Sequence, residues 1–167
     1  TAGKIYASNL ALQHAWLIAD GFEVKTGDSG DTENEMAAAA GALMKGTDVL
    51  ITSGGAWKGD RDLVVKVLES LGCRMIFHRV RMGPGKAVGM GIMGQAKVFC
   101  LPGGPASNET AFIMIVFPAV LKIAGFRHCP YLYLNGRLET DVQGQSDWTQ
   151  FIQCEVPQVH PEIILRP

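Results

Sequence analysis

Apolar residues in the first 125 positions alternate between helical spacing and short continuous runs. Helical spacing predicts helices over residues 7–20, 62–71 and 105–124, and a further helix capped at Asp31 or Thr32 that runs through Met44. Between them, strands are predicted at residues 22–26, 49–51, 75–80, 87–93 and 98–101, and the segments at 49–51 and 98–101 are continuous apolar runs. Strands that alternate with helices at these lengths indicate an α/β fold.

The pattern changes after Gly125. Residues 131–134 and 150–156 alternate between apolar and polar side chains, as half-buried strands do. We therefore expect an α/β domain over residues 1–125 and part of a small β domain over residues 126–167. Both ends look incomplete, because the chain opens in a loop that leads straight into a helix and closes without an obvious final element.

Composition and charge narrow the function. Hydrophobic residues make up 47% of the 167 residues and charged residues 19%, which is typical of a chain with a sizeable core. The formal net charge of -1 gives the molecule no long-range attraction to nucleic acid or to an anionic membrane, so any anion must be bound locally. The apolar run at residues 111–121 is short for a bilayer and contains Pro118. The four cysteines form no C-x-x-C pair, which favours reduced thiols and a cytoplasmic location.

The strongest candidate site follows the run at residues 49–51. Ser53, Gly54 and Gly55 form a turn between a predicted strand and a predicted helix, where backbone N–H groups can bind a phosphate. Paired glycines after a strand are often only a turn. Asp60 and Asp62 follow, and two carboxylates beside a phosphate indicate a divalent cation between them. Helix capping explains Asp62 at least as well, and the two roles are compatible.

Two further turns are rich in glycine and proline. In one, Pro84 and Gly85 shape a tight backbone from which Lys86 can reach a charged ligand, so we favour the edge of a pocket over the alternative of a solvated basic loop. The other turn, at residues 100–108, follows a predicted strand and opens a helix. Its free backbone N–H groups and the Ser107 hydroxyl can bind a second polar group of a ligand. This turn and the turn at residues 53–55 both follow predicted strands, so the two should meet at the carboxyl edge of a parallel sheet, where α/β proteins bind ligands.

Taken together, these motifs resemble the MoeA family of molybdopterin molybdenumtransferases, which includes the E domain of gephyrin. The resemblance covers about three quarters of the chain in order and spacing. It is carried by residues 3–9, Gly30-Asp31-Thr32, Thr52-Ser53-Gly54-Gly55, Gly59-Asp60-Arg61-Asp62, Met82-Gly83-Pro84-Gly85-Lys86 and Leu101-Pro102-Gly103-Gly104-Pro105.

The resemblance implies a three-layer domain with a mainly parallel sheet, followed by part of a β domain. It also implies insertion of molybdate into adenylylated molybdopterin, with release of AMP and with Mg²⁺ as cofactor. Asp62, Asp31 and Lys86 would then be catalytic, and Asp62 with Asp31 would hold the metal. The ligand-binding residues would be Asn9, Ser53, Gly54, Gly55, Asp60, Pro84, Gly85, Pro102, Gly103, Gly104 and Ser107.

Some features depart from the family. Gly83 stands where a lysine is usual and Gly104 where an asparagine is usual, so the pocket has one cation and one amide fewer. The family's first strand and acidic loop should precede Gly3, so the chain is a fragment or another chain supplies that strand. An uncovered sheet edge would favour a homo-oligomer. The alternative to a transferase is a non-catalytic molybdopterin-binding or scaffold module.

Overall fold

The structure is a computed structural model that describes residues 7–54, 63–128 and 131–167. Four helices are formed, and the last of them begins and ends in α-helical turns around a π-helical turn at Phe112–Val116. The helices are α1 (Ser8–Ala19), α2 (Glu33–Leu43), α3 (Leu63–Ser70) and α4 (Pro105–Ile123). The strands are β1 (Val49–Ser53), β2 (Arg74–His78), β3 (Met82–Gly83), β4 (Gly89–Met93), β5 (Ala96–Leu101), β6 (Arg137–Leu138), β7 (Thr149–Gln150), β8 (Glu155–Gln158) and β9 (Ile164–Arg166).

The central sheet has four strands in the order β1-β5-β4-β2. β1 and β5 are parallel, whereas β4 is antiparallel to both of its neighbours, so β1, β5 and β2 point the same way. β4 runs against them because only Gly94 and Gln95 separate it from β5, and so short a loop makes a hairpin. The expected α/β fold with a mainly parallel sheet is confirmed.

Helices cover both faces of this sheet. Phe99 and Leu101 of β5 belong to a core cluster shared with α1 and α4. Val98 and Cys100, which alternate with them, belong to a second cluster shared with α2 and α3. Side chains on a strand point alternately to its two faces, so burial on both faces needs consecutive apolar residues, as at residues 98–101. This produces the three layers and explains the continuous apolar run of β5.

Helix α4 is the main core helix. It is long and apolar enough to span a membrane by length and composition alone, which corrects the expectation that its apolar run is too short. In the fold, Phe112, Val116 and Phe117 are fully buried against the sheet and α1. A core helix passes the same test of length and composition.

Two predicted strands are wrong. Residues 22–26 form no strand, although Phe22 and Val24 pack against the core, so the apolar alternation reflects packing without a ladder. β1 is consequently an edge strand of the sheet among the described residues. Residues 131–134 also form no strand; Tyr131 alone turns inward, stacking on Phe117 and donating its hydroxyl proton to the Ile113 carbonyl.

The segment after residue 130 contributes strands to two small sheets. β6, β9 and β8 form one of them, and β7 forms the other by pairing in parallel with β3 of the basic turn. The predicted strand at residues 150–156 is therefore divided between β7 and β8. Gln153 Nε2 also donates to Glu109 Oε2 of α4 at 3.1 Å. The division of the chain at residue 125 stays a prediction.

Candidate functional site

The two turns that follow β1 and β5 lie against each other. The β1–β5 register places Ser53 opposite Leu101, and Gly54 N donates to Leu101 O at 3.1 Å. Gly54 has a φ of 92°, a conformation that favours glycine. A Cβ on Gly103 would lie 3.3 Å from Gly54 Cα, tighter than ordinary packing. Parallel strands thus bring Ser53, Gly54 and Gly103 together at the carboxyl edge of the sheet, as the sequence predicts.

A network of side-chain amides ties these turns to α1 and α4. Asn9 Nδ2 donates to Ser53 Oγ at 3.2 Å and to Gly103 O at 3.0 Å. Asn108 Nδ2 donates to Ser53 Oγ at 2.9 Å and to Pro102 O at 2.7 Å. Asn108 Oδ1 accepts from Gln13 Nε2 at 2.6 Å. Every polar atom of the Asn108 side chain is therefore bonded, and this allows its complete burial.

The network contains two residues that the sequence analysis did not assign. Asn108 has 0% exposure and Gln13 5%. Gln13 follows Leu10 by three residues and precedes the buried Leu17 by four, a spacing that places an amide on the inward face of α1. Asn108 directly follows Ser107, which the sequence predicts as a ligand-binding residue. A polar residue on an apolar helix face was the available signal.

The third wall of the site is the turn before α2. Thr32 caps this helix. The Glu35 carboxylate accepts hydrogen bonds from the Thr32 backbone N–H and hydroxyl, and these bonds complete the predicted capping box. These bonds from Thr32 hold the pKa of Glu35 below its usual value. A Cβ on Gly30 would meet the Glu35 carboxylate, so a side chain at this position would displace Glu35 from the capping box. Asp31 is exposed beside it.

These walls enclose a cleft of about 770 Å³. It is lined by five of the predicted site residues, namely Asn9, Asp31, Ser53, Gly54 and Gly103, and also by Asp28 and Gln13. No Lys or Arg among the described residues lines it. The cleft therefore offers the Ser53 hydroxyl at the sheet edge and the carboxylates of Asp28 and Asp31 in the turn before α2.

The basic turn occupies a different position from the one expected. Pro84, Gly85 and Lys86 are not among the residues that line the cleft. Lys86 Nζ lies 5.4 Å from the centroid of the Trp148 ring, within cation–π range. Gly85, with a φ of 106°, lies where the turn crosses α4. A Cβ added at this position would be 3.3 Å from both Ser107 O and Ala111 N. The ligand-binding roles of these residues stay predictions.

The remaining predicted residues lie beside the cleft or outside the described segments. Pro102 is buried and contributes its carbonyl to the amide network, and Gly104 is the N-cap of α4. Gly55, Asp60 and Asp62 lie outside the described residues. Within residues 7–54, 63–128 and 131–167, no group of three or more His, Cys, Asp or Glu side chains could hold a metal ion.

Comparisons with known proteins show which family this chain resembles. Residues 1–122 match the family model described as "Probable molybdopterin binding domain". The "Molybdenum cofactor synthesis protein cinnamon" of Drosophila melanogaster is 33% identical over 159 residues, 93% of this chain and 26% of the relative. A "Molybdopterin molybdenumtransferase" of Bacillus subtilis is 27% identical over 167 residues, 99% of this chain and 39% of the relative.

A solved structure shares the fold. The molybdopterin biosynthesis MoeA protein of Pyrococcus horikosii superposes with a TM-score of 0.65 at 30% identity, covering 77% of this chain and 32% of that protein. The resemblance drawn from the sequence motifs is confirmed. This chain spans between about a quarter and two fifths of the length of the two relatives named above.

Proposed function

Because this chain belongs to the molybdopterin-binding domain family, we propose that it binds molybdopterin in the cleft at the carboxyl ends of β1 and β5. The observation that carries the proposal is the convergence of Ser53, Gly54 and Gly103 beside the Asn9 amide. The Ser53 hydroxyl can donate its proton at this edge, and a turn without side chains at Gly54 and Gly103 lets a phosphate group approach the backbone closely. The chain would then take part in molybdenum cofactor biosynthesis in the cytoplasm.

Calorimetric titration with molybdopterin tests this binding. The Gly103→Ala variant adds a Cβ 3.3 Å from Gly54 Cα, so it should displace one turn against the other and weaken binding. Gly41→Ala is the matched control, because it lies in α2 with no atom near its Cβ position. If the unchanged chain shows no binding of molybdopterin, the proposal is wrong.

The reaction we propose for the complete protein is insertion of molybdate into adenylylated molybdopterin with release of AMP. Its support is the likeness to molybdopterin molybdenumtransferase, and the present chain spans only part of that relative. The assay is the yield of pterin-bound molybdenum and of AMP. Release of AMP without molybdate incorporation would contradict the proposed reaction.

The proposal includes Mg²⁺ for an electrostatic reason. Asp28 and Asp31 both line the cleft, where their carboxylates would repel an anionic ligand. A divalent cation that binds both carboxylate and phosphate oxygens removes this repulsion. Asp31 alone does not form a magnesium site, so the proposal needs Asp62 as well. Treatment with a chelator followed by titration with Mg²⁺ should abolish and restore ligand affinity.

A non-catalytic molybdopterin-binding or scaffold module is the second candidate. The position of Lys86 favours it, because its ammonium group lies over Trp148 and does not line the cleft. If the chain is a module of this kind, it binds molybdopterin but releases no AMP from adenylylated molybdopterin. Measuring binding and turnover on the same sample separates the two candidates.

We also propose a homo-oligomer. β1 is an edge strand of the described sheet, and residues 22–26 beside it form no strand. A cavity of about 560 Å³ lies between them, lined partly by Phe22, Val24 and Ile51. Unpaired edges of this kind are sites of association.

A further inference from the structure

The hydrogen-bond partners of Ser53 determine which way its hydroxyl group can donate. A serine hydroxyl has one proton to donate and two lone pairs that accept. Ser53 Oγ lies within hydrogen-bonding distance of two amide nitrogens, Asn9 Nδ2 and Asn108 Nδ2. If both nitrogens donate, both lone pairs are used.

The orientation of both amides follows from their other partners. Asn9 Nδ2 also faces the carbonyl of Gly103, and Asn108 Nδ2 also faces the carbonyl of Pro102. A carbonyl oxygen only accepts, so the atom facing it must be the NH₂ group of each amide. Gln13 fixes Asn108 from the opposite side by donating to its Oδ1. Both amides can therefore only donate to Ser53.

We propose that Gln13 and Asn108 are positioning residues that make Ser53 an obligate hydrogen-bond donor in the cleft. Ser53 Oγ accepts twice, so its own proton must point away from both amides. No acceptor for that proton is found among the described residues. The side chain is exposed where Ser53 lines the cleft. A ligand atom that meets Ser53 must then be an acceptor, such as a phosphate oxygen, and a donor group at that point is rejected.

This inference rests on the proposed function, since the acceptor belongs to molybdopterin. It also explains why two polar side chains are buried. Buried amides cost free energy unless their atoms are paired, and those of Asn108 are paired with two turns and one helix. One side chain thereby fixes the turn after β1, the turn after β5 and the direction of a proton.

A double-mutant cycle measured by calorimetric titration with molybdopterin tests the inference. Ser53→Ala removes the donor and should weaken binding about 10- to 100-fold, the range for a hydrogen bond to a charged group. Asn108→Asp keeps the shape but replaces the NH₂ group by an acceptor, which draws the Ser53 proton inward. In the Asn108→Asp background, Ser53→Ala should therefore have no further effect on affinity.

A merely structural role for Asn108 predicts a different cycle. Ser53→Ala would then weaken binding by the same factor in both backgrounds, and this result would overturn the inference. If Asn108→Asp fails to fold, Asn9→Asp replaces it, because Asn9 is only half-buried and donates to Ser53 from the other side. The expectation for that cycle is the same.

Thr110→Ala is the matched control. Thr110 lies in α4 close to Asn108, is 9% exposed and donates its hydroxyl proton to Ala106 O at 2.8 Å, without touching the amide network. Its loss should lower stability and leave affinity unchanged. If the unchanged chain binds no molybdopterin, the proposed function fails together with the inference. If it binds and Ser53→Ala binds equally well, only the inference fails.

Discussion

Gly85 offers a measurable test of how the basic turn is held on the fold. Its φ of 106° lies in the region that side chains rarely adopt. A Cβ at this position would lie 2.8 Å from Met82 Cε and 3.3 Å from both Ala111 N and Ser107 O. Two of these neighbours are backbone atoms of α4, which cannot move without disturbing the helix. We therefore expect Gly85→Ala to destabilise the chain by two separate effects.

The two effects can be estimated separately. The left-handed conformation costs a side chain about 1–2 kcal/mol. Crowding against the α4 backbone and the buried Met82 methyl group costs about 1–3 kcal/mol more, the usual range for overpacking. Gly72→Ala isolates the first effect, because Gly72 has a φ of 91° and no atom within 4 Å of its Cβ position. Gly85→Ala should thus lose about 2–5 kcal/mol and Gly72→Ala about 1–2 kcal/mol.

Equilibrium unfolding in urea provides the measurement. Both variants should shift the midpoint at an unchanged slope, which would show that stability changed and compactness did not. Equal losses for the two variants, within about 0.5 kcal/mol, would mean that the crossing of turn and helix contributes nothing. Binding of molybdopterin by Gly85→Ala then reports whether the position of Lys86 matters for the ligand.

Three further predictions concern the acidic residues and the sheet edge. Asp62→Asn should keep the stability of the unchanged chain but lose pterin-bound molybdenum yield in the complete protein, whereas Asp62→Ala should also lose about 1 kcal/mol; full yield from Asp62→Asn would leave Asp62 as a helix cap only. The pKa of Glu35 is lowered in the fold, so its stabilising effect is present above its unfolded pKa and lost as pH falls through the folded one. The difference in Tm between the unchanged chain and Glu35→Ala should accordingly be largest near neutral pH, and a difference independent of pH would contradict this. Sedimentation velocity at micromolar concentration should show an oligomer held at the β1 edge, and a monodisperse monomer would refute it.

The fold was predictable wherever a local pattern had a single structural solution. The apolar run of β5 requires burial on both faces, and the Thr32–Glu35 spacing gives a capping box that the structure contains. The strand predictions for residues 22–26 and 131–134 were wrong for the same reason. Their alternation reports that one side packs inward, as Phe22 and Tyr131 do, but a strand also needs a partner ladder that no local pattern specifies.

The candidate site was predictable in part for the same reason. Glycine turns after parallel strands identify the sheet edge, and Ser53, Gly54 and Gly103 do meet there. The amide network was not predictable, because Gln13 and Asn108 are 95 residues apart in sequence and meet only when α1 packs on α4. The position of Lys86 was also not predictable, since it depends on the pairing of β3 with β7.

The two departures from the family pattern have different consequences in this fold. The amide expected at residue 104 is absent, but the Asn108 amide donates to the carbonyl of Pro102 in the same turn, so an amide still supports that turn. The cation expected at residue 83 has no such substitute among the described residues, because no described Lys or Arg lines the cleft. Lys58 and Arg61, close to Ser53 in sequence, remain as candidates to neutralise an anionic ligand. The two groups should therefore affect binding in different ways. Loss of the amide network should weaken binding by disturbing the two turns, and loss of these cations should weaken binding in a way that added salt reproduces.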